Sequence, residues 1–151
     1  MILGVCVKEL FSHHDDRGFF CEIFKEGSGP FFPIKQVSIG CAFPGVIKAF
    51  HIHKRKQECF HAVSGFAKVV LYDVRMDSKT YGMTDVIYLN NECRRAVYIP
   101  PGVAHGYQAL GNTNLLMVYA TDEAYDPKNP DEEKMPFDDP FIHFNWSIKN
   151  R

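Results

Sequence analysis

Long apolar runs are missing from this chain. No stretch approaches the ~20 residues of a membrane-spanning helix, and residues 1–8 lack the length and basic flank of a signal peptide. A charge excess is missing too: 17 Lys and Arg against 18 Asp and Glu leave a net charge of -1. That balance gives no global attraction to nucleic acid or to an acidic membrane, so neither is expected as a partner. The five cysteines, Cys6, Cys21, Cys41, Cys59 and Cys93, contain no Cys-x-x-Cys pair. An odd, scattered set reads as reduced core thiols of a cytoplasmic protein, not as a disulfide frame. A phosphate-cradling Gly-x-x-x-x-Gly-Lys loop, a dinucleotide-binding glycine set and a nucleophile elbow are all absent, which removes those three routes to chemistry. Apolar spacing of helical period is also lacking; only 131–134 reads as locally helical. With no repeat and no low-complexity linker, the expectation is one domain over 1–151.

What the chain does have is aromatic, β-branched segments broken at short intervals. Phe, Tyr and Trp make up 14%, and 11 Gly and 9 Pro punctuate them, which favours many short strands. The spacing predicts strands at 18–24, 34–41, 46–53, 58–63, 65–73, 85–89, 96–99 and 115–120. Eight or more short strands in one domain predict an all-β fold, a closed sandwich or barrel whose mouth can take a ligand.

The densest polar cluster follows Gly45: His51, His53, then Lys54-Arg55-Lys56, then Glu58. Two residues apart on a strand, His51 and His53 point to one face. Lys54-Arg55-Lys56 reads as a solvated hairpin turn that returns Glu58 on the neighbouring strand. Downstream, Pro100, Pro101 and Gly102 set a turn before His105. His51, His53, Glu58 and His105 together form a ligand set suited to a divalent ion such as iron, manganese or zinc. His13, His14, His61 and His143 lack such a pattern and read as surface or packing residues.

These spacings resemble the two cupin motifs, Gly–His-x-His–Glu–Gly and Pro-x-Gly-x-x-His, although Ala109 stands where the second motif ends in Asn. The resemblance implies a cupin jelly-roll barrel. A finer one covers nearly the whole chain: Asp16-Arg17-Gly18-Phe19-Phe20-x-Glu22, Gln36-x-Ser38, Gly45-Val-Ile-Lys48-x-x-His51, Asp73-x-Arg75-x-x-Ser78-x-Thr80-x-Gly82, Ala104-His105-Gly106, Tyr119 to Tyr125-x-Pro127, Asp138-Asp139-Pro140 and Trp146. In this order they resemble the dTDP-4-dehydrorhamnose 3,5-epimerases.

The resemblance implies an isomerase of deoxysugar and polysaccharide biosynthesis, cytoplasmic and homodimeric through its N-terminal strands. Its substrate would be a nucleoside-diphospho-4-keto-6-deoxyhexose, with no cofactor. His51 then matches the catalytic base and Tyr119 the acid on the opposite sugar face. Arg17, Glu22, Gln36, Lys48, His53, His105 and Tyr125 match substrate-binding positions. The chemistry suits these types: protons at C3 and C5 are acidified by the C4 carbonyl, and imidazole is a base near neutrality. The enolate needs support at its oxygen, for which Lys48, His53 or His105 are candidates.

Several positions depart from the pattern. Lys48 replaces Arg, His53 replaces Gln, and Glu58–Cys59 stand where a Lys is usual. The aspartate that orients the base in that family lies beyond Trp146 and has no match here. Asp73 or a backbone carbonyl is therefore expected to hold His51. Two alternatives stay open: a metal-dependent cupin using His51, His53, Glu58 and His105, and a 3,4-ketoisomerase of nucleotide sugars.

Overall fold

The computed structural model describes residues 1–26 and 32–148. Twelve strands, numbered in chain order, form two five-stranded antiparallel sheets and one hairpin. The first sheet runs β1 (Cys6–Glu9), β9 (Arg95–Ile99), β6 (Glu58–Ser64), β11 (Leu115–Thr121), β4 (Gln36–Ala42). The second runs β12 (Glu133–Lys134), β5 (Ile47–Ile52), β10 (Val103–Leu110), β7 (Phe66–Asp73), β8 (Thr84–Asn90). β2 (Ser12–Asp15) and β3 (Gly18–Cys21) pair with each other as a separate hairpin. This is the all-β, double-sheet architecture that the strand spacing predicts.

The main core lies between the sheets, where Val69, Leu71, Leu89, Val97, Val103, Leu115 and Met117 are fully buried. The second sheet is covered on its outer face as well. Trp146 and Ile142 pack there against Phe50, Val70 and Ala104. That double burial explains why β7 reads as a continuous apolar run instead of alternating. Phe32 and Leu10 likewise pack with Cys59, Ala96, Tyr98 and Ala120 in a third cluster.

Four expectations need correction. Residues 131–134 are not helical: Glu133 and Lys134 pair with Ile52 and His51 on the edge of β5. Their neighbour Met135 exchanges both backbone hydrogen bonds with Phe50, so edge pairing overrides a weak local helix preference. Lys54-Arg55-Lys56 is not a hairpin turn, because β5 and β6 belong to different sheets. It is a corner that carries the chain from one sheet to the other. The thiols are mostly not core groups: only Cys59 is buried, while Cys41 and Cys93 are exposed. Finally, β10 lies outside the predicted strands, since its His-Gly-Tyr-Gln run breaks the apolar pattern.

Candidate active site

The sheets open at one end into a cavity of about 210 Å3. His51 enters it from β5. Its Nδ1 lies 2.5 Å from Glu132 Oε1, on the segment that leads into β12. A carboxylate there accepts the Nδ1 proton and so selects the tautomer whose Nε2 carries the free lone pair. Burial holds His51 below its ordinary value, with Glu132 opposing the shift. Burial, the largest single influence, would raise the Glu132 carboxyl, but the hydrogen bonds and charges of His51 and Lys134 together outweigh it and hold the group below its ordinary value. At neutral pH the pair is therefore a neutral imidazole beside a carboxylate, which is the arrangement of an oriented base.

Asp73, the orienting acid suggested by the sequence, is engaged elsewhere. Its side chain accepts hydrogen bonds from Arg75 Nε at 2.8 Å, Ser78 Oγ at 2.6 Å and Thr80 Oγ1 at 2.6 Å. It is a structural knot in the turn after β7. Glu132 escapes a reading of the sequence because it follows Pro130 in a segment without strand pattern; its only signal is the acidic run Asp131-Glu132-Glu133 ahead of Lys134.

Lys48 lines the same cavity, although an odd number of residues separates it from His51. The register explains this. His105 pairs with His51 but Tyr107 pairs with Lys48, so β5 holds one extra residue across that step. Such a bulge resets the alternation and turns Lys48 inward. Its Nζ donates to the Cys41 carbonyl at 3.0 Å. At the bulge sits Gly106, where a Cβ would come 2.7 Å from Ala49 Cα; only glycine permits this close approach of β5 and β10.

His53, Glu58 and His105 converge deeper in. Both imidazoles commit Nδ1 to backbone carbonyls, His53 to Asp131 at 2.5 Å and His105 to Val103 at 2.9 Å. Their Nε2 atoms face one carboxylate oxygen of Glu58, at 3.3 Å and 3.0 Å. The two imidazoles hold Glu58 well below the usual carboxylate range despite its burial, which by itself raises it. Each Nε2 can meet that oxygen only through its own proton or through a cation. The buried His105 Nε2 has the distance but not the alignment of a hydrogen bond. These three donors fit a divalent ion, their ligand atoms lying within 4.8 Å of one another. His51 stands outside that group, so the four-ligand set of the sequence reading reduces to three.

Tyr119 enters from β11 on the facing sheet and lines the cavity with His51. Burial pushes its hydroxyl well above the ordinary phenol value. Phe60 lies edge-on against its ring at 5.2 Å. Beside the cavity a wider groove of about 510 Å3 is lined by Lys35, Arg55, Tyr125 and Asp131, with Lys56 on the wall of both. Gln36 borders this side: its Oε1 accepts the Tyr125 backbone N–H at 2.7 Å.

Arg17 and Glu22 are not brought to the cavity of their own chain. Arg17 pairs with Asp15 on the exposed β2–β3 hairpin, and Glu22 pairs with Lys25. Of the histidines set aside, His61 is buried on the Arg95 carbonyl, while His13, His14 and His143 are exposed.

This geometry agrees with comparisons to known proteins. The family model described as dTDP-4-dehydrorhamnose 3,5-epimerase matches residues 1–151. The spore coat polysaccharide biosynthesis protein SpsL of Bacillus subtilis is 46% identical, with 100% of both chains covered. Among solved structures, the dTDP sugar isomerase of Desulfovibrio desulfuricans G20 superposes with TM-score 0.91 at 28% identity, covering 99% of this chain and 94% of the other. ChmJ of Streptomyces bikiniensis, a 3'-monoepimerase solved with dTDP-quinovose, gives TM-score 0.86 at 26% identity over 96% and 76% of the two chains. The fold is thus the cupin jelly roll of these epimerases, and the chain belongs to the dTDP-4-dehydrorhamnose 3,5-epimerase family of isomerases.

Proposed function

We propose that this protein epimerises C3, C5 or both of a nucleoside-diphospho-4-keto-6-deoxyhexose, a dTDP sugar, as a step of polysaccharide biosynthesis. The observation that carries the reading is a Glu132-oriented imidazole and a phenol on opposite sheets of one cavity. His51 Nε2 takes the proton next to the ketone, and the C–H electron pair moves onto the C4 oxygen as an enolate. Tyr119 then delivers its proton to the other face of the same carbon, and the carbonyl re-forms. Lys48 stands in the cavity as the cation for the enolate oxygen. The two side chains balance the proton transfers between them, so the scheme uses no cofactor.

The cavity is smaller than the ~300–1,000 Å3 clefts that bury a drug-sized ligand. It suits one sugar ring, with the diphosphate and nucleoside in the adjoining groove beside Lys35, Arg55, Lys56 and Tyr125. The exposed Phe11, Phe19 and Phe20 of the N-terminal region and Val37, Ile39 and Phe43 along edge strand β4 support a homodimer that covers them. In such a dimer the hairpin carrying Arg17 belongs to the interface, not to its own cavity. Among the described residues no helix is long and apolar enough to cross a membrane. The unpaired cysteines support a reducing, cytoplasmic setting, and the family match over 1–151 supports a single domain.

The test is solvent-deuterium exchange on a dTDP-4-keto-6-deoxyhexose. Label should enter C3, C5 or both with inversion, and His51→Ala should stop it. A product whose carbonyl has moved to C3 would establish the ketoisomerase alternative instead, and no exchange with any such sugar would refute the enzyme reading.

The misaligned His105 Nε2 favours a second reading, in which His53, Glu58 and His105 hold a divalent ion. When bound, the ion would supply Lewis-acid polarisation beside a base that stays free. Elemental analysis and thermal unfolding with and without chelator decide it: no metal in the pure protein and no shift would remove this reading.

A further inference from the structure

The proton donor has a companion. Tyr107, on β10, places its hydroxyl 2.6 Å from the Tyr119 hydroxyl across the sheets. It is 3% exposed, and among the described residues its hydroxyl meets no other hydrogen-bond partner. The Phe60 ring stands perpendicular to both tyrosines, 6.2 Å from Tyr107 and 5.2 Å from Tyr119, and fixes their orientation. A phenol that only filled core would not need an oxygen here; phenylalanine would fill the same space. The pair must therefore be read against what happens to Tyr119 during the reaction.

We propose that Tyr107 is the positioning residue for proton delivery: it holds the Tyr119 hydroxyl in place at rest and supports its oxygen after the proton has gone. This rests on the epimerase reading. Either oxygen of the pair can be the donor. At rest the Tyr119 O–H points to the Tyr107 oxygen, which keeps the acid loaded. When the enolate arrives, the Tyr119 O–H bond breaks and a C–H bond forms at the carbon next to the ketone. The electron pair of the broken bond remains on Tyr119 as a phenolate in a water-poor site. Rotation of the Tyr107 hydroxyl turns it from acceptor to donor and places an O–H on that charge. No heavy atom has to move. His51 finally loses its proton to solvent and Tyr119 takes one back, which closes the balance.

Tyr107→Phe tests this, with Tyr119→Phe and the double variant beside it. A hydrogen bond to a developing charge is worth roughly 10- to 100-fold in rate. Inversion in Tyr107→Phe should fall by about that factor with KM unchanged, while His51-dependent deuterium exchange on the abstraction face persists. The double variant should invert no more slowly than Tyr119→Phe alone, because the two losses share one interaction. A purely structural role predicts the opposite pattern: losses that add, and exchange that falls together with inversion. Unchanged inversion in Tyr107→Phe, or losses that add in the double variant, overturns the proposal. Wild-type protein that exchanges with no keto sugar fails the epimerase reading, whereas wild-type exchange with an unimpaired Tyr107→Phe fails this proposal alone.

Discussion

Replacing Glu132 with Gln keeps the shape of the site and removes one charge. In the native protein Glu132 Oε1 lies 2.5 Å from His51 Nδ1. It fixes the tautomer, and it faces the positive imidazolium that forms once His51 has taken the proton. A hydrogen bond to a charged group contributes roughly 1.5–3 kcal/mol. The pair is partly exposed, 35% for His51 and 26% for Glu132, so solvent screening favours the lower part of that range. We expect the plateau of kcat to drop roughly 10- to 30-fold in E132Q. The pH profile gives the sharper test. A base works when neutral, so activity rises with pH through the His51 pKa. Burial already places that limb below the usual histidine value, and Glu132 is what opposes burial. Without it the limb must move to still lower pH even as the plateau falls. Deuterium exchange at the keto sugar, followed across pH, reads both quantities. A plateau within twofold of wild type, or a limb that moves upward, would refute the assignment of Glu132.

Three further outcomes follow from the packing. Gly106→Ala puts a methyl group into Ala49 and should push β5 from β10, lowering both stability and exchange activity; unchanged activity in a folded variant would show that the bulge does not set Lys48 and His51. Asp73→Asn should cost roughly 1.5–3 kcal/mol in urea unfolding, because it takes the charge from a buried carboxylate that a partly exposed Arg75 guanidinium bonds. Burial by itself raises the Asp73 carboxyl, but the bonds from Arg75, Ser78 and Thr80 outweigh it and hold it below its unfolded value. Its contribution is thus complete above the unfolded pKa and lost as pH falls, so the wild-type advantage over Asn should shrink in acid; an advantage that grows there would contradict the sign. Lys68→Met should loosen the C-terminal cover, since Lys68 Nζ donates to the Trp146 and Ser147 carbonyls at 2.9 Å and 3.4 Å. Trp146 is the single tryptophan, so a red-shifted fluorescence maximum reports the release, and an unshifted one argues that apolar packing alone holds the segment.

The strands and the His51, His53, Glu58, His105 and Tyr119 set were legible because short-range rules govern them: two-residue alternation, turn glycines and prolines, and ordered motifs. What stayed hidden depends on pairing across distance. Lys48 is a candidate by its motif position, but its place on the cavity wall rests on a register slip that its own strand does not encode. Glu132 reaches His51 across 81 positions of sequence, from a segment whose strand character comes from the edge it docks on. Tyr107 sits in a strand whose polar residues mask its period, and its partner is supplied by the facing sheet. The corner at Lys54-Arg55-Lys56 looks like a hairpin locally, since the same residue types serve both.

Three consecutive contacts come from one short strap. The Asp131 carboxylate accepts the backbone N–H groups of Lys54, Arg55 and Lys56, the Asp131 carbonyl meets His53, and Glu132 meets His51. Corner shape, second imidazole and first imidazole are thereby fastened by the same few residues. During synthesis the chemistry cannot be switched on until this late stretch has docked, long after both histidines have left the ribosome. In evolution, too, a change of strap length retunes all three at once, so such a change must succeed as a package or not at all.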